Sequence, residues 1–453
     1  MKAVIMMRTA RALVWMCTLC TVGCAGYSDR TRDARAALDA GRTRDAVVLF
    51  NERLGVPTEK ELPSDLKGEK VLFVLERSVA LQALHEYELS SRDLEVADKQ
   101  VEVLDFTRGT LDDISKFMFS DASGPYQAPA YEKLMINTLN MVNYLTRGDL
   151  NGARVEARRL AVMQQFVTEH EAKGAAVGAP GSYLAGFTFE KSHEPGEALR
   201  FYDEALQFGS YASLVEPVGR LAKLDAYRTD RIKKLLASSS GASAAASDAP
   251  DDSAEVLVVV GFGRVPAKRA ERIPIGLALT LASSDLSPNS RAQANRFAAQ
   301  GLVTWINFPT LPKPTKQYAL PTFTVDQRPM PIEGLVAVDA EAVDAWRATK
   351  GKMIASAITR LITRVVAGEV ARQATGGGTL GLLASLGTQI TMTATDTPDT
   401  RSWSTLPARI AVARVRMPAG QHVIDVAVSG EHKTQTLTLS KGGWAVVNLT
   451  VLR

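Results

Sequence analysis

Beyond position 24 the chain contains no cysteine: its 3 thiols, Cys17, Cys20 and Cys24, all fall at the start of 453 residues. The body therefore has no disulfide framework, no thiolate nucleophile and no cysteine ligands for zinc. Aromatic residues are scarce, at 6%. Charge of one sign is not in excess either, with 53 basic against 49 acidic residues and a net charge of +4. A nucleic-acid binder normally shows a clustered basic excess, so no nucleic-acid partner is expected. No apolar run reaches the roughly 20 residues that a spanning helix needs. The 5 histidines, His85, His170, His193, His422 and His432, include no pair at helical metal-ligand spacing and no HExxH. There is no GxSxG elbow of the α/β-hydrolase kind. These absences leave no catalytic residue, metal ligand or cofactor site to nominate.

What is there is an ordinary globular composition, 46% hydrophobic and 23% charged, which excludes a disordered or fibrous chain. The length suits two or three domains. The first residues read as an export signal. Lys2, Arg8 and Arg11 form a basic stretch, Ala12 to Gly23 is apolar, and the first acid is Asp29. Val22-Gly23-Cys24 puts small residues just before a cysteine at the end of the apolar stretch. This resembles the lipobox of bacterial lipoproteins, although Thr21 stands where that motif usually has Leu. The resemblance implies cleavage before Cys24, a diacylglycerol on its sulfur, and acylation of its new amine. Each buried methylene contributes about 0.8 kcal/mol, so two or three chains anchor stably. Ala25 after the cysteine resembles the default outer-membrane sorting signal, which implies a lipid-anchored protein on the periplasmic face of the outer membrane. Gly23-Cys24-Ala25 also fits ordinary cleavage after Ala25, which would leave a soluble periplasmic protein. On the lipobox resemblance, residues 1–23 are expected to be the signal and 24–32 a tether.

Residues 33–236 carry a helical period. Ala37-Leu38-Asp39-Ala40-Gly41 is followed by Ala46, Phe50 and Pro57. That spacing is the skeleton of a tetratricopeptide unit, in which small residues let two helices pack and Pro ends the second. Asn143-Tyr144-Leu145 leads likewise into Gly148-Asp149, Ala153 and Ala157. Tyr183-Leu184-Ala185-Gly186 leads into Pro195-Gly196, Ala198, Tyr202 and Ala205. A further pair runs from Val71 through Tyr87 to Leu104. The expectation is a degenerate array of three or four helical hairpins, with an ordinary bundle as the alternative. Stacked hairpins offer a groove to a protein partner. Arg154 and Arg158 share a helix face, and with Arg159 they are candidates for an acidic partner, or else part of a solvated face.

Residues 237–254, rich in Ser, Ala, Gly and Asp, read as a flexible linker. In residues 255–400, Glu255 to Val260 is a β-branched run, hence a buried strand. Ile273 to Leu281 is a possible strand and Ala292 to Gln300 a helix. Trp305 to Val325 is Pro-rich and extended. A long helix is expected from an Asp339 N-cap to about Thr375, with Ile354, Ile358, Leu361, Ile362 and Val365 on one face. Leu380 to Met392 is too short to span a bilayer and reads as a buried helix, or one docked on a partner or the membrane interface. In residues 401–453, segments 410–415, 423–428, 434–439 and 444–451 alternate between Gly turns, as in a small antiparallel module. The fold class is therefore α+β: an all-α helical repeat domain, a mixed region, and a small β-sandwich-like module.

Four further patterns bear on function. Gly376, Gly378 and Gly381 fit GxGxxG, but a helix precedes them where a dinucleotide site needs a strand. Gly261-Phe262-Gly263-Arg264 follows a strand and leads to the basic Lys268-Arg269, a loop for phosphate or a plain connection. Arg401-Ser402-Trp403-Ser404-Thr405-Leu406-Pro407 joins the helical segment to the β module, and its Arg and Trp read as packing residues. His422 and His432 either meet across a hairpin or lie apart on the surface.

Together, Gly23-Cys24, Asn143-Tyr144-Leu145 with Gly148-Asp149, Tyr183-Leu184 with Gly186 and Glu190, Arg401-Ser402-Trp403 with Leu406-Pro407, and Ala413-Arg414 with Pro418-Ala419-Gly420 resemble a family of bacterial TPR-containing lipoproteins. The resemblance implies location and architecture, without an activity. The function expected is a lipid-anchored, non-catalytic envelope scaffold that binds an envelope protein through its helical array. The alternatives are an envelope enzyme acting on glycan or peptide through paired carboxylates, and a secretion or pilus accessory lipoprotein.

Overall fold

The computed structural model of the chain describes residues 26–106, 126–170, 177–238, 253–301, 303–374 and 398–453. Its class is α+β. After a single turn, α1 (Tyr27–Arg30), helices follow as hairpins: α2 (Arg32–Asp39) with α3 (Thr43–Leu54), α4 (Lys70–Ala83) with α5 (Tyr87–Phe106), α6 (Ala130–Thr146) with α7 (Leu150–His170), and α8 (Gly178–Lys191) with α9 (Pro195–Ala205). The shorter α10 (Val215–Leu221) and α11 (Asp230–Ser238) complete the array.

One turn geometry recurs in four of these hairpins. Gly41, His85, Gly148 and His193 are each left-handed, with φ of 73°, 64°, 74° and 59°. In each, the next amide reaches back to close the preceding helix: Arg42 to the Ala37 carbonyl, Glu86 to Leu81, Asp149 to Tyr144 and Glu194 to Phe189, all at 2.8–3.0 Å. This is a Schellman stop, which favours Gly because a Cβ is strained at that φ. The helices differ in length, so the turns repeat while the hairpins do not. Close packing inside the hairpins needs small residues. A Cβ on Gly186 would lie 2.4 Å from the Tyr202 ring, and one on Gly152 2.2 Å from the Tyr144 ring.

The strands make two four-stranded sheets and a two-stranded ribbon. The first sheet has the order β10 (Trp444–Val451), β1 (Ala254–Phe262), β7 (Arg409–Met417), β6 (Glu333–Ala337). The second has the order β5 (Arg328–Met330), β4 (Thr322–Val325), β8 (Gly420–Val428), β9 (Glu431–Leu439). Strand β1 is buried along its whole length, and the reason is that it is covered on both faces. Val256, Val258 and Val260 meet Phe323, Ile424 and Val426 of the second sheet. Leu257 and Val259 join Val412, Val446 and the helical core on the other side. The molecule therefore stacks as helices, first sheet, second sheet, with the inner helices α4, α6 and α8 against the first sheet.

The third unit is a lobe. Its ribbon pairs β2 (Arg269–Pro274) with β3 (Trp305–Thr310), beside α12 (Ile275–Leu281), α13 (Pro288–Ala299) and α14 (Val338–Ala374). Ile273, Ile306 and Phe308 pack on Ile354, Ile358 and Leu361 of α14. The long helix and its apolar face lie where the sequence pattern puts them. Asp339 is not an N-cap, however: it sits inside the first turn, buried, and its carboxylate faces Arg409. The apolar stretch from Ile273 is a strand only to Pro274, after which it becomes helix, because proline sets the entry to α12 and donates no ladder bond. The C-terminal four strands are where alternation puts them, but they do not form a module alone. Strand β1 separates β7 from β10, and β4 with β5 completes the other sheet, so residues 401–453 share both sheets with 254–337. Residues 239–252 of the expected linker and the Leu380 to Met392 segment lie outside the described residues.

Gly186→Ala is expected to lower unfolding stability by about 1–3 kcal/mol, since the Tyr202 ring has to move. His193→Gly is expected to leave stability unchanged or raise it by up to about 1 kcal/mol, because it relieves a left-handed non-glycine residue. Urea unfolding of the two variants checks the contrast.

Candidate functional site

The face of the helical array that would offer a groove is filled by the chain itself. Three inner helices each place one carboxylate in this interface. Glu76 on α4, Glu132 on α6 and Glu190 on α8 are all buried, and each reaches the C-terminal half.

Glu76 accepts the Ser404 amide at 3.0 Å, the Thr405 amide at 2.7 Å and the Ser404 hydroxyl at 2.8 Å. Tyr27 from α1 donates its hydroxyl to the same carboxylate at 3.2 Å. The Thr405 hydroxyl returns a bond to the Glu76 carbonyl at 3.1 Å. Glu132 accepts the Trp403 amide at 3.0 Å and the Tyr131 hydroxyl at 3.1 Å, and Tyr126 donates to its other oxygen. Burial pushes the Glu132 carboxyl up, and those hydrogen bonds only partly offset it. Trp403 is fully buried, with its indole N–H donating to Thr405 at 3.1 Å. Arg401 is held by Asp399 and lies over the Tyr126 ring, 5.8 Å from its centre. The Arg401 to Pro407 segment is therefore a packing element, as its composition suggested.

Glu190 is held differently, by cations. Arg414 on β7 donates to both its oxygens at 2.7 Å, Tyr202 donates at 2.7 Å, Arg220 at 2.8 Å and Lys191 at 3.1 Å. Arg414 and Lys191 also contact Glu255 on β1. Burial alone would raise the Glu190 carboxyl, but Arg414, Lys191 and Arg220 outweigh it and hold it well below the usual carboxylate range. Glu255 is lowered in the same way, with burial opposing and Arg414 prevailing. A buried guanidinium shared by two buried carboxylates fixes the register of sheet against helices, because any slip leaves a charge unpaired. At the far end, Glu333 on β6 accepts the Ala212 amide at 2.9 Å and the Ser213 amide at 3.1 Å.

The nominated arginines lie elsewhere. Arg154, Arg158 and Arg159 are on α7, the outer helix of its hairpin. Arg154 pairs with Glu194 at 2.5 Å and lies over the Phe189 ring. Arg159 pairs with Asp98 of α5 at 2.8 Å. Both tie neighbouring hairpins together, and Arg158 is exposed. Beside Arg159, Asn137 donates to the buried Glu156 at 3.0 Å. Burial and the nearby Asp98 push the Glu156 carboxyl up to about 7, with Asn137 and Arg159 opposing. Cys24, Gly376, Gly378 and Gly381 lie outside the described residues. The Gly263 loop is docked rather than open: Arg264 pairs with Asp39 at 2.8 Å, and the Tyr318 ring occupies the space where a Gly263 side chain would go. His422 donates toward Asp326 at 2.7 Å and the Pro418 carbonyl at 2.9 Å. The hydrogen bond to Asp326 raises its pKa, since only the doubly protonated ring donates from both nitrogens. His432 pairs with Ala427, so it sits on the opposite face of the second sheet and the two histidines do not meet. His85 and His193 are the turn residues described above.

Glu76 and Glu132 escaped the sequence reading. The available signal was an acid set in an apolar helix, as in Val74-Leu75-Glu76, which marks a buried and partnered charge. A cavity of about 420 Å³ is lined by Tyr318, Leu320, Thr322, Val428 and Ser429 among others, with no carboxylate or histidine in its wall. Among the described residues no group of three His, Cys, Asp or Glu side chains is placed to hold a metal ion. No helix among them is long and apolar enough to cross a membrane. No family model, curated protein or solved structure matches the chain.

Glu190→Gln is expected to cost about 3–5 kcal/mol at neutral pH, because it leaves buried cations unpaired. The Glu190 contribution is present above the ordinary carboxylate pKa and is lost as pH falls through the depressed value, so the cost of the substitution should shrink in acid. Glu156 has the opposite sign. Its stabilisation is full below the ordinary carboxylate pKa and is lost as pH rises through about 7. Relative to the wild type, Glu156→Gln should therefore gain up to about 3 kcal/mol between acid and alkaline conditions. Urea unfolding across pH tests both.

Proposed function

We propose that the protein is a lipid-anchored, non-catalytic scaffold of the bacterial envelope, with Cys24 carrying the lipid and a TPR-like helical array as its partner-binding part. In this reading the array is a rigid support held by its own β-sandwich, and the partner meets its outer surface. The observation that carries the reading is the sealed inner face. Glu76, Glu132 and Glu190 bind the chain's own strands and Trp403 segment there, which leaves the outer helices as the free side. On α7, Arg158 is exposed between Val155 and Val162, which are 50% and 64% exposed. These residues lie on one helix face. A cation flanked by two apolar side chains suits an acidic protein surface with an apolar centre. The anchor rests on the lipobox-like Val22-Gly23-Cys24 alone.

The test is affinity capture of the tagged protein from solubilised envelopes, with intact-mass measurement of the bait. The expected bait is acylated at Cys24, and Cys24→Ser is expected to move to the soluble fraction. The expected envelope partner is lost with Val155→Glu combined with Arg158→Glu. An unmodified bait removes the anchor, and a partner retained by that double variant removes the outer-face scaffold.

A further inference from the structure

The lobe built on the β2–β3 ribbon has a surface that the helical interface does not use. One side of the ribbon is closed, with Ile273, Ile306 and Phe308 against α14. On the opposite side the Arg272 guanidinium lies over the Trp305 ring, 5.4 Å from its centre. Trp305 is 40% exposed and pairs across the ribbon with Pro274, the residue before α12. The Ile275 amide donates to the Thr304 carbonyl at 3.0 Å, which sets the first turn of α12 beside the indole. Along α12, Leu277 and Leu281 are one turn apart and stand 48% and 38% exposed. Arg291 donates to the Ser283 carbonyl just past the end of α12, so a second guanidinium stands at the other end of the patch.

Charge around this patch is predominantly basic. Residues 264–316 contain five arginines and three lysines against two acids, Glu271 and Asp285. Arg269, Arg272, Arg291 and Arg296 are exposed, and none pairs with a carboxylate among the described residues. The whole chain is nearly balanced, so the basic excess is concentrated here. A second copy of the chain fits poorly, because a two-fold contact through this face would set like charges against each other. Exposed Leu and Trp rimmed by guanidinium groups match the boundary of a bilayer, where leucine enters the acyl edge, indole sits at headgroup depth and cations meet phosphate.

We infer that this face is a peripheral contact with an anionic phospholipid surface, in which Leu277, Leu281 and Trp305 insert and Arg272 and Arg291 engage lipid phosphates. It is independent of the lipid proposed at Cys24, and together the two would hold the lobe against the membrane. The test uses the full chain carrying Cys24→Ser, so that loss of the anchor and loss of this contact are read separately. The chain is floated with vesicles of phosphatidylcholine, and with vesicles of phosphatidylcholine mixed with phosphatidylglycerol. Flotation is expected only with the anionic vesicles and is expected to weaken in high salt. Arg272→Gln with Arg291→Gln is expected to lower partitioning about tenfold. Leu277→Asp with Leu281→Asp is expected to abolish it while the far-ultraviolet circular dichroism stays unchanged. A brominated lipid is expected to quench tryptophan fluorescence, and Trp305→Phe, which keeps the ring, is expected to remove most of that quenching. Absence of flotation overturns the proposal, as does flotation or quenching that ignores these substitutions. A concentration-dependent dimer abolished by the leucine substitutions would reassign the face to self-association.

Discussion

A buried carboxylate has to find its donors or cations, and this constraint organises the molecule. Glu76, Glu132 and Glu190 stand on three successive inner helices, and none of them finds all its partners inside the helical array. The remaining partners come from more than two hundred residues downstream: amides of Trp403, Ser404 and Thr405, and the guanidinium of Arg414. Desolvating a carboxylate without such partners costs several kcal/mol, so the helical array depends on the β layers to neutralise its inner face. The β layers depend on the array in return, because the first sheet is apolar on both sides and needs a cover on each. Folding of the two halves is therefore coupled by charge and by apolar burial at the same surface.

Three buried acids, Glu190, Glu132 and Glu156, are satisfied in different ways, and the difference sets their response to pH. Glu190 sits among Arg414, Lys191 and Arg220 and is held ionised. Glu132 sits among hydroxyls and one amide and is pushed toward its neutral form. Glu156, between hairpins, is raised by burial and by Asp98 despite Arg159. Glu190 and Glu156, groups of the same chemistry, thus lose their stabilisation at opposite extremes of pH, and a window of greatest stability follows between them. The sealed inner face also changes what a helical array can do. The proposed partner would have to meet the outer helices or the lobe built on the β2–β3 ribbon, and that lobe concentrates exposed leucine, indole and guanidinium on one side. A membrane on that side and a protein on the outer helices are compatible contacts, since they use different surfaces.

Much of the layout was legible in short-range pattern. The strand from Glu255, the four C-terminal strands, the helix pair from Val71 and the apolar face of α14 are set by local periodicity, which a single sequence carries. The hairpin turns were half legible. Gly41 and Gly148 declare a left-handed residue, whereas His85 and His193 do the same work without the residue type that signals it. Arg154, Arg158 and Arg159 read as candidates for a groove because the four-residue spacing of Arg154 and Arg158 puts them on one helix face, but which side of a hairpin faces inward depends on packing that spacing does not encode.

By itself the sequence determined the α+β class, the succession of helices and strands, and the absence of any thiol from the body of the chain. Those follow from residue type and from periods of two and 3.6, which are properties of neighbours along the chain. Only the tertiary structure decided that β1 lies between β7 and β10, that the Trp403 segment fills the face of the helical array, and that Glu190 meets Arg414. Each of these joins residues far apart in sequence, and their pairing is selected by complementary charge and burial in three dimensions.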